Sequence, residues 1–407
     1  MIQKKKQDQL KLLNFYKAIS SIATNLVGAF IPLIIYKYTG SLILGLTYLS
    51  TIYAVRLLTT VIFKKQMFKY AQLFILLRIF PIIAYSIFIL LLDVNIVVGI
   101  IGTGLFVGIA NAFSALPNDL VYNYSSLNKT SSSSGITVFF EKVGVILAYI
   151  AGGLFLDHIA QWIVILISLS LYLISVIPLI IYFKNNKGNK EFNQEATSNA
   201  AVRFAENPDK SARGRKISRK MMWNYSIIYM LYNISSPLNS IFNLFLFIKQ
   251  GTFAITGYLN ATYHAAIMLM SLAVGKLDQK KDLTYVVLIG FIIVGATTIA
   301  LPFTTTIQWI WFLIFAVMGI AEAINHVFII ERMRMKTRIL GISNEAFFHR
   351  HTGQSIGSML AGLSGMAFGL IPAFIIIGIS QMATGIYVVI HEEKSRKDLV
   401  KYLQGED

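Results

Sequence analysis

Cysteine is absent from this sequence of 407 residues, and charged residues make up only 14% of it. The first absence excludes disulfide bonds and cysteine-ligated metal sites. The second argues against a soluble globular protein, which usually carries about 25% charged residues. Hydrophobic residues make up 56% of the chain. The composition therefore predicts a protein that crosses a membrane many times.

Acidic residues are also scarce, since 19 Asp and Glu stand against 36 Lys and Arg and give a formal net charge of +17. Such a charge would suit a nucleic-acid-binding protein if the cations formed one groove with interleaved aromatic residues. Here the cations lie in short polar stretches between apolar segments. We therefore expect no nucleic-acid partner, and we expect the chain to lie in a lipid bilayer.

Twelve segments are apolar enough to cross a bilayer, which requires about 20 residues per helix. We predict an all-α membrane protein with spans at residues 13–36, 42–63, 73–92, 94–116, 135–156, 160–183, 223–248, 253–275, 283–301, 308–330, 341–368 and 371–390. Pro81 is expected to interrupt the third span. The predicted units are a six-helix bundle over 1–183, a basic cytoplasmic linker over 184–222, a second six-helix bundle over 223–391 and a cytoplasmic tail over 392–407.

The positions of Lys and Arg predict the orientation of these spans. If both termini are cytoplasmic, the loops on the opposite side of the membrane contain only Lys37 and Lys249, and the remaining loop cations are cytoplasmic. This asymmetry follows the positive-inside rule. The basic N-terminal segment precedes a full-length apolar span with no cleavage site, so we expect that span to be retained.

The two halves of the sequence resemble each other at an offset of about 210 residues. Four short segments recur in the same order: Lys37 with Gly40-Ser41 and Lys249 with Gly251-Thr252, Tyr48-Leu49 and Tyr258-Leu259, Gly108 to Ala112 and Gly319 to Ala323, and Phe139 to Lys142 and Phe347 to Arg350. Because six spans separate the copies, both copies have the same orientation. This predicts parallel repeats around an axis along the membrane normal.

Six plus six spans, a long cytoplasmic central loop and parallel halves resemble the major facilitator superfamily of secondary transporters. The family's loop motif G-x-L-x-D-R-x-G-R-R is reduced to basic residues at 64–69, but the loop at 275–281, with sequence GKLDQKK, is more similar to it. The resemblance implies a carrier, not an enzyme, that works by alternating access. We expect no cofactor and no metal site.

Small residues in the fifth span resemble the antiporter motif G-x-x-x-G-P-x-x-G-G of the same family. The residues are Gly144, Ala148, Tyr149, Gly152 and Gly153, and the second half repeats the spacing at Gly353, Gly357, Ala361 and Gly362. Two interpretations stay open. The stripe lets another helix backbone approach closely, or it is an antiporter signature, which would favour efflux.

Five basic residues are predicted to lie inside spans, towards their cytoplasmic ends: Lys17, Arg56, Arg78, Lys142 and Arg350, with the acids Asp119 and Glu345 nearby. A charge inside a bilayer costs roughly 2.5–3.5 kcal/mol on insertion scales, so it normally faces a partner or a cavity. These residues are predicted either to hold a cytoplasmic gate closed through ion pairs or to form an electropositive vestibule that attracts an anionic cargo.

Glu322 lies near the middle of the tenth span, with His326 one turn further along the same face. Burial favours the uncharged form of a carboxyl group, so Glu322 suits proton coupling. The alternative is a hydrogen bond to a neighbouring helix. We expect proton coupling to involve Glu322, Glu141 and His326. Polar and aromatic groups on helix faces suit a ligand cavity, and the predicted substrate-binding residues are Asn25, Asn111, Tyr229, Asn233 and His264.

The sequence thus predicts a monomeric, multi-pass secondary transporter of the plasma membrane that moves a small-molecule or lipid-like solute. We expect proton coupling and transport in the direction of efflux. The first alternative is uptake of an anionic or polar nutrient, coupled to protons or facilitated. The second is a lipid or glycolipid flippase, or a sensor without transport activity, on the same fold.

Overall fold

The computed structural model describes residues 2–63, 66–67, 70–127, 131–186, 223–224, 226–234, 238–274, 284–304, 308–339 and 343–404. Most of the predicted linker, from residue 187 to 222, lies outside these residues. The described segments are helical and include no strand, which confirms the predicted all-α fold.

The helices of the first half are α1 (Ile2–Gly28), α2 (Ile31–Thr39), α3 (Leu42–Ile62), α4 (Ala71–Leu77), α5 (Ile79–Leu90), α6 (Ile96–Leu127), α7 (Ser131–His158) and α8 (Gln161–Asn186). Those of the second half are α9 (226–233), α10 (Leu238–Gln250), α11 (Phe253–Val274), α12 (Thr284–Ala300), α13 (Gln308–Ile339), α14 (Ser343–Phe368) and α15 (Leu370–Gln404). Each predicted span coincides with one of these helices or with two consecutive ones.

Eight spans of the described residues are long and apolar enough to cross a membrane. The other four predicted spans, the third, seventh, eighth and eleventh, are shorter or more polar. Two of them contain the short apolar helices Ile79–Asp93 and Ser240–Gln250. The eighth and eleventh, α11 and α14, bury polar side chains such as Asn260 and Ser355 inside the protein. A total of twelve spans therefore stays a prediction.

Two spans of the first half are interrupted near a proline. The third span breaks at Arg78, which separates α4 from α5, and Pro81 lies in the first turn of α5. The predicted interruption is confirmed. The first span also breaks, because α1 ends at Gly28 and α2 begins at Ile31 with Pro32 in its first turn. Proline is tolerated there because the first amides of a helix have no partner within the helix.

The internal repeat predicted from sequence is visible in the contacts of the first span of each half. In the first half, Lys17 of α1 forms an ion pair with Glu141 of α7 at 3.0 Å. At the equivalent place in the second half, Ser226 of α9 hydrogen-bonds to Nδ1 of His349 in α14 at 2.6 Å. The same two helices therefore meet at the same position in both repeats, although the chemistry of the contact differs.

The glycine stripes lie at these helix contacts. A methyl group added to Gly144 would lie 2.3 Å from the carbonyl oxygen of Ala18 in α1. One added to Gly353 would lie 2.6 Å from the carbonyl oxygen of Ser226 in α9. No side chain fits between backbones this close. The contacts favour the packing interpretation of the stripes.

Two helix pairs join the halves, α7 with α11 and α3 with α14. The repeat relates one pair to the other, since α3 corresponds to α11 and α7 to α14. A large apolar cluster spans the junction and includes Phe30 and Tyr149 of the first half and Phe253 and Phe374 of the second. The two halves therefore share a common core and meet along two symmetry-related contacts.

Gly257→Ala is expected to destabilise the contact between α7 and α11. The added methyl group would lie 2.3 Å from the carbonyl oxygen of Tyr149, so the helices must separate. Overpacking of this kind costs about 1–3 kcal/mol, and thermal unfolding in detergent would measure it. Gly28→Ala is the matched control, because no atom lies within 4 Å of the added methyl group. Equal stability of the two variants would contradict this interpretation of the contact.

Candidate functional site

Glu322 is held by a tyrosine from the seventh span. It lies near the middle of α13, is partly buried, and accepts a hydrogen bond at Oε1 from the hydroxyl of Tyr232. Phe291 of α12 packs edge-on against the Tyr232 ring, with 6.0 Å between centroids. Gln381 of α15 donates to the Tyr232 carbonyl oxygen at 3.0 Å. Four helices of the second half thus fix the tyrosine at the carboxyl group.

Helix α11 brings the first half to this carboxyl group, because it packs against α7 on one side and α13 on the other. On the α7 side, Gly153 lies at Phe253 and Gly257 lies at Tyr149. Between these two contacts the residue number falls along α7 and rises along α11, so the two helices are antiparallel.

The same register places three ionisable groups at one level. Continuing seven residues along both helices from the contact of Tyr149 with Gly257 puts Lys142 beside His264. On the other side of α11, Gly319 of α13 lies against the carbonyl oxygen of Tyr263. Glu322 is three residues further along α13, about 4.5 Å at 1.5 Å per residue. Lys142, His264 and Glu322 therefore lie at levels that differ by no more than about one helical turn along the helix axes.

Lys142 and Glu322 interact electrostatically across the junction between the halves. Lys142 forms no salt bridge within the described part of the chain. The neighbouring Glu141 pairs with Lys17 instead. The charges of Lys17 and Glu141 balance each other, although Glu141 also acts electrostatically on Lys142. Among the described residues of the second half, Glu322 is the acid that acts on Lys142.

His264 is buried near two charged residues of the first half. Its side chain is only 5% exposed, its ring stacks on Tyr149 of α7 with 5.4 Å between centroids, and both Lys142 and Glu141 act on it electrostatically. Its Nδ1 atom is buried and has no hydrogen-bond partner among the residues the structure describes. Of the predicted substrate-binding residues, His264 is the one on which Lys142 acts electrostatically, and it lies at about the level of Glu322.

The predicted asparagines have a more local role in this structure. The Asn25 side chain donates to the carbonyl oxygen of Ser21 at 2.8 Å, and Asn233 donates to that of Tyr229 at 2.7 Å. Both bonds return to the residue's own helix, one turn earlier. Tyr229 is buried in an apolar cluster of the second half. The remaining two predicted residues, Asn111 and His326, are partly buried.

Arg56 joins the halves at the second helix pair. Its Nη2 atom lies 2.7 Å from Nδ1 of His351 and 2.7 Å from the Oε1 atom of Gln354, both in α14. Arg350 contacts the other ring nitrogen of His351 at 3.0 Å. These residues connect α3 to α14 through a histidine and a glutamine, whereas the gate interpretation predicted ion pairs, so the gate stays a prediction. The side chains of Asp119 and Glu345 lie outside the described residues.

Arg78 lies inside the first half, with no exposed surface. It donates to the Tyr16 hydroxyl at 2.6 Å, and its guanidinium carbon lies 4.7 Å from the centre of the Tyr172 ring. Ser20 accepts a longer hydrogen bond at 3.5 Å. Aromatic rings and hydroxyl groups surround this cation, so its position separates it from the residues around Glu322.

The pair formed by α7 and α11 has a further contact between the halves around Phe253, the first residue of α11. We call it the Phe253 contact. Asp157 of α7 accepts hydrogen bonds from the amides of Phe253 at 3.1 Å and Ala254 at 2.8 Å, and Lys37 lies 5.3 Å from the centre of the Phe253 ring. Sequence analysis missed Asp157, because capping residues are sought just before a helix, whereas this one lies 96 residues away.

The described residues include no group of three or more His, Cys, Asp or Glu side chains that could hold a metal ion.

Comparison with known proteins agrees with this architecture. The family model of the Major Facilitator Superfamily matches residues 13–350. The structure is similar to that of a bacterial homologue of the iron transporter ferroportin in an outward-facing state, with a TM-score of 0.66, 12% identity, and coverage of 96% of this chain and 99% of that one. It is also similar to the human organic anion transporter MFSD10 (TETRAN), with a TM-score of 0.60, 8% identity, and coverage of 94% and 99%.

No curated protein sequence matches the chain significantly. The family match covers most of the chain, and both structural similarities extend over nearly its whole length. At these identities the structural similarities establish the fold and leave the transported solute open. The protein is therefore a multi-pass membrane transporter that belongs to the Major Facilitator Superfamily.

Proposed function

We propose that the protein is a proton-coupled secondary transporter of the plasma membrane, in which Glu322 binds and releases the coupling proton. The observation that carries the proposal is the position of Glu322, which is hydrogen-bonded to Tyr232 in its own half and close enough to Lys142 of the other half for their charges to interact. A carboxyl group at the junction of two moving domains changes its surroundings as they move, which is what coupling requires.

The direct test is a proteoliposome experiment with an imposed pH gradient. Solutes that the protein transports should accumulate against their own gradient when protons flow down theirs, and collapse of the pH gradient with a protonophore should end the accumulation. Transport of an identified solute at the same final level with and without the gradient would contradict proton coupling.

The direction of transport has two candidates. The sequence argument for efflux by antiport is the resemblance of the glycine stripe to an antiporter motif. In this structure the glycines of the stripe pack against helix backbones, which weakens that argument. Uptake of an anionic solute is favoured by Lys142, a cation at the junction that forms no salt bridge within the described residues. The similarity to a structure described as an organic anion transporter agrees with an anionic solute and leaves the direction of transport open.

We further propose that the domains 1–183 and 223–391 move against each other, with the linker 184–222, the tail 392–407 and both termini in the cytoplasm, and that the protein works as a monomer. In this orientation the Phe253 contact lies at the outer side of the membrane. Its closed geometry then corresponds to a state in which the outer side is sealed.

Asp157→Ala is expected to favour opening of the outer side. The variant removes the carboxylate that accepts from two amides at the start of α11. A negative charge at a helix N-terminus contributes about 1 kcal/mol, so the open-to-closed ratio should rise about fivefold. The distance distribution between spin labels at Val94→Cys and Lys249→Cys, in a chain with 0 native cysteines, would measure the change.

Asp93→Ala is the control for that measurement, because Asp93 is exposed and lies beyond the end of α5. It should leave the distance distribution unchanged. If Asp157→Ala also leaves it unchanged, the Phe253 contact does not hold the outer side closed.

A further inference from the structure

The charges around Glu322 constrain what the transporter can carry, if Glu322 is the coupling residue proposed above. Lys17 and Glu141 form a neutral pair at 3.0 Å. Lys142 remains with one positive charge, and Glu322 is the acid of the other half that acts on it. We call Lys17, Glu141, Lys142 and Glu322 the charged centre. The charged centre has no net charge when Glu322 is ionised, and it carries one net positive charge when Glu322 is protonated.

We propose that the cargo is a small organic solute with a single negative charge, which binds at Lys142 and His264 while Glu322 holds a proton. An unpaired charge in a low-dielectric interior is costly, so charge balance should be kept during the domain movement. Without a bound anion, the positive charge of Lys142 is balanced by the Glu322 carboxylate. The loaded centre is balanced by Lys142 and the anion, since Glu322 has taken one proton from water.

His264 supplies a second recognition group for such an anion. A buried polar atom without a partner is uncommon in proteins and requires an explanation, and Nδ1 of His264 is one within the described residues. Its imidazole stacks on Tyr149, so the ring is held in place. A neutral histidine can donate one hydrogen bond to an anion, while the Lys142 ammonium group contributes its charge.

The groups around Glu322 are consistent with a bound anion replacing the Glu322 carboxylate as the charge that balances Lys142. Among the described residues, Tyr232 of α9, Tyr263 of α11 and Lys142 of α7 interact electrostatically with Glu322. His326 lies one turn along the same face of α13 and is partly buried. Helix α12 contributes only Tyr285, which is 70% exposed. In α14, His349 bonds to Ser226, and His351 lies between Arg56 and Arg350. Glu322 and Lys142 are thus the opposite charges available to each other across the junction.

The sign of coupling follows from this arrangement. An anion competes with the Glu322 carboxylate for Lys142, so anion binding favours proton uptake, and the two are carried together. A cationic solute would instead pair with the Glu322 carboxylate and displace the proton, which gives exchange in opposite directions. The described residues therefore favour symport of a monoanion with a proton.

The test measures protonation of Glu322 in the full-length protein in nanodiscs. The readout is the infrared band of the protonated carboxyl group, and the band is assigned to Glu322 because it is lost in Glu322→Gln. The probes are benzoate, nicotinate and lactate, with benzamide, nicotinamide and lactamide as uncharged controls and benzyltrimethylammonium as the cation. At least one carboxylate should raise the protonated fraction and cause uptake of about one proton per anion bound, and its amide should not.

Variants at Lys142 separate its charge from its packing. Lys142→Met should weaken binding of that carboxylate roughly 100-fold, as expected when a charged partner is removed. Lys142→Arg should retain most of the affinity for the carboxylate. Lys249→Met is the control, because Lys249 is exposed, and this variant should bind the carboxylate as tightly as the unaltered protein does. His264→Phe, which keeps a ring against Tyr149, should weaken binding less than Lys142→Met.

Three outcomes would overturn the inference: no effect from any carboxylate, a loss of the protonated band when the cation is added, or carboxylate binding that survives Lys142→Met. These results are distinct from failure of the proposed function. If Glu322→Gln keeps proton-driven transport, Glu322 is not the coupling residue at all. If it abolishes driven transport and the carboxylates have no effect, only the cargo assignment is wrong.

Discussion

Glu322→Gln should abolish accumulation driven by a pH gradient and leave exchange of solute across the membrane intact. The amide keeps the size of the side chain and can still accept the Tyr232 hydrogen bond, but it cannot bind and release a proton. In proteoliposomes, driven accumulation should fall to the equilibrium level, whereas counterflow of labelled solute should stay within about threefold of the unaltered protein. These two effects together are expected only of a coupling residue.

Tyr232→Phe is the matched comparison for Glu322→Gln. It removes the hydroxyl group that donates to Oε1 and keeps the carboxyl group, so driven accumulation should persist. Loss of both driven accumulation and counterflow in Glu322→Gln would indicate a damaged fold and not a lost proton. Full driven accumulation in Glu322→Gln would exclude this residue from coupling.

Arg78→Ala should cause the largest loss of stability among single substitutions at the predicted cations. The side chain is fully buried, its guanidinium group donates to the Tyr16 hydroxyl at 2.6 Å, and it contacts the Tyr172 ring. Removal leaves a cavity and a buried hydroxyl group without its partner, which together cost about 3–5 kcal/mol. Thermal unfolding of purified protein, together with the yield of folded protein, would measure the loss.

Tyr16→Phe provides the graded comparison for Arg78→Ala, because it removes only the hydrogen bond and keeps the ring beside the guanidinium group. Because the lost hydrogen bond comes from a buried charged group, the substitution should cost about 1.5–3 kcal/mol. If Arg78→Ala is folded with unchanged stability and binds anions less tightly, Arg78 belongs to an anion vestibule. Our structure instead assigns it to the core of the first half.

The sequence placed five cations inside the membrane spans but did not determine which groups surround each of them. Hydropathy places them inside spans, but it does not distinguish an anion vestibule from a closed gate. Within the described structure Lys17 is in an ion pair, Arg56 bridges the halves and Arg78 is enclosed by tyrosines. Lys142 interacts electrostatically with Glu322, and Arg350 contacts His351. Residues that looked alike in the sequence have different surroundings, because each faces a different helix.

By itself, the amino-acid sequence determined the helical spans, their repeat in two halves and the family resemblance. It could do so because a bilayer forces each span to satisfy its own backbone hydrogen bonds, so length and hydropathy suffice. Tertiary structure alone decided that Tyr232 meets Glu322, that Lys142 lies at their level, and that Asp157 caps a helix of the other half. These contacts depend on the rotation and register of helices far apart in the chain, and no local pattern of residues encodes them.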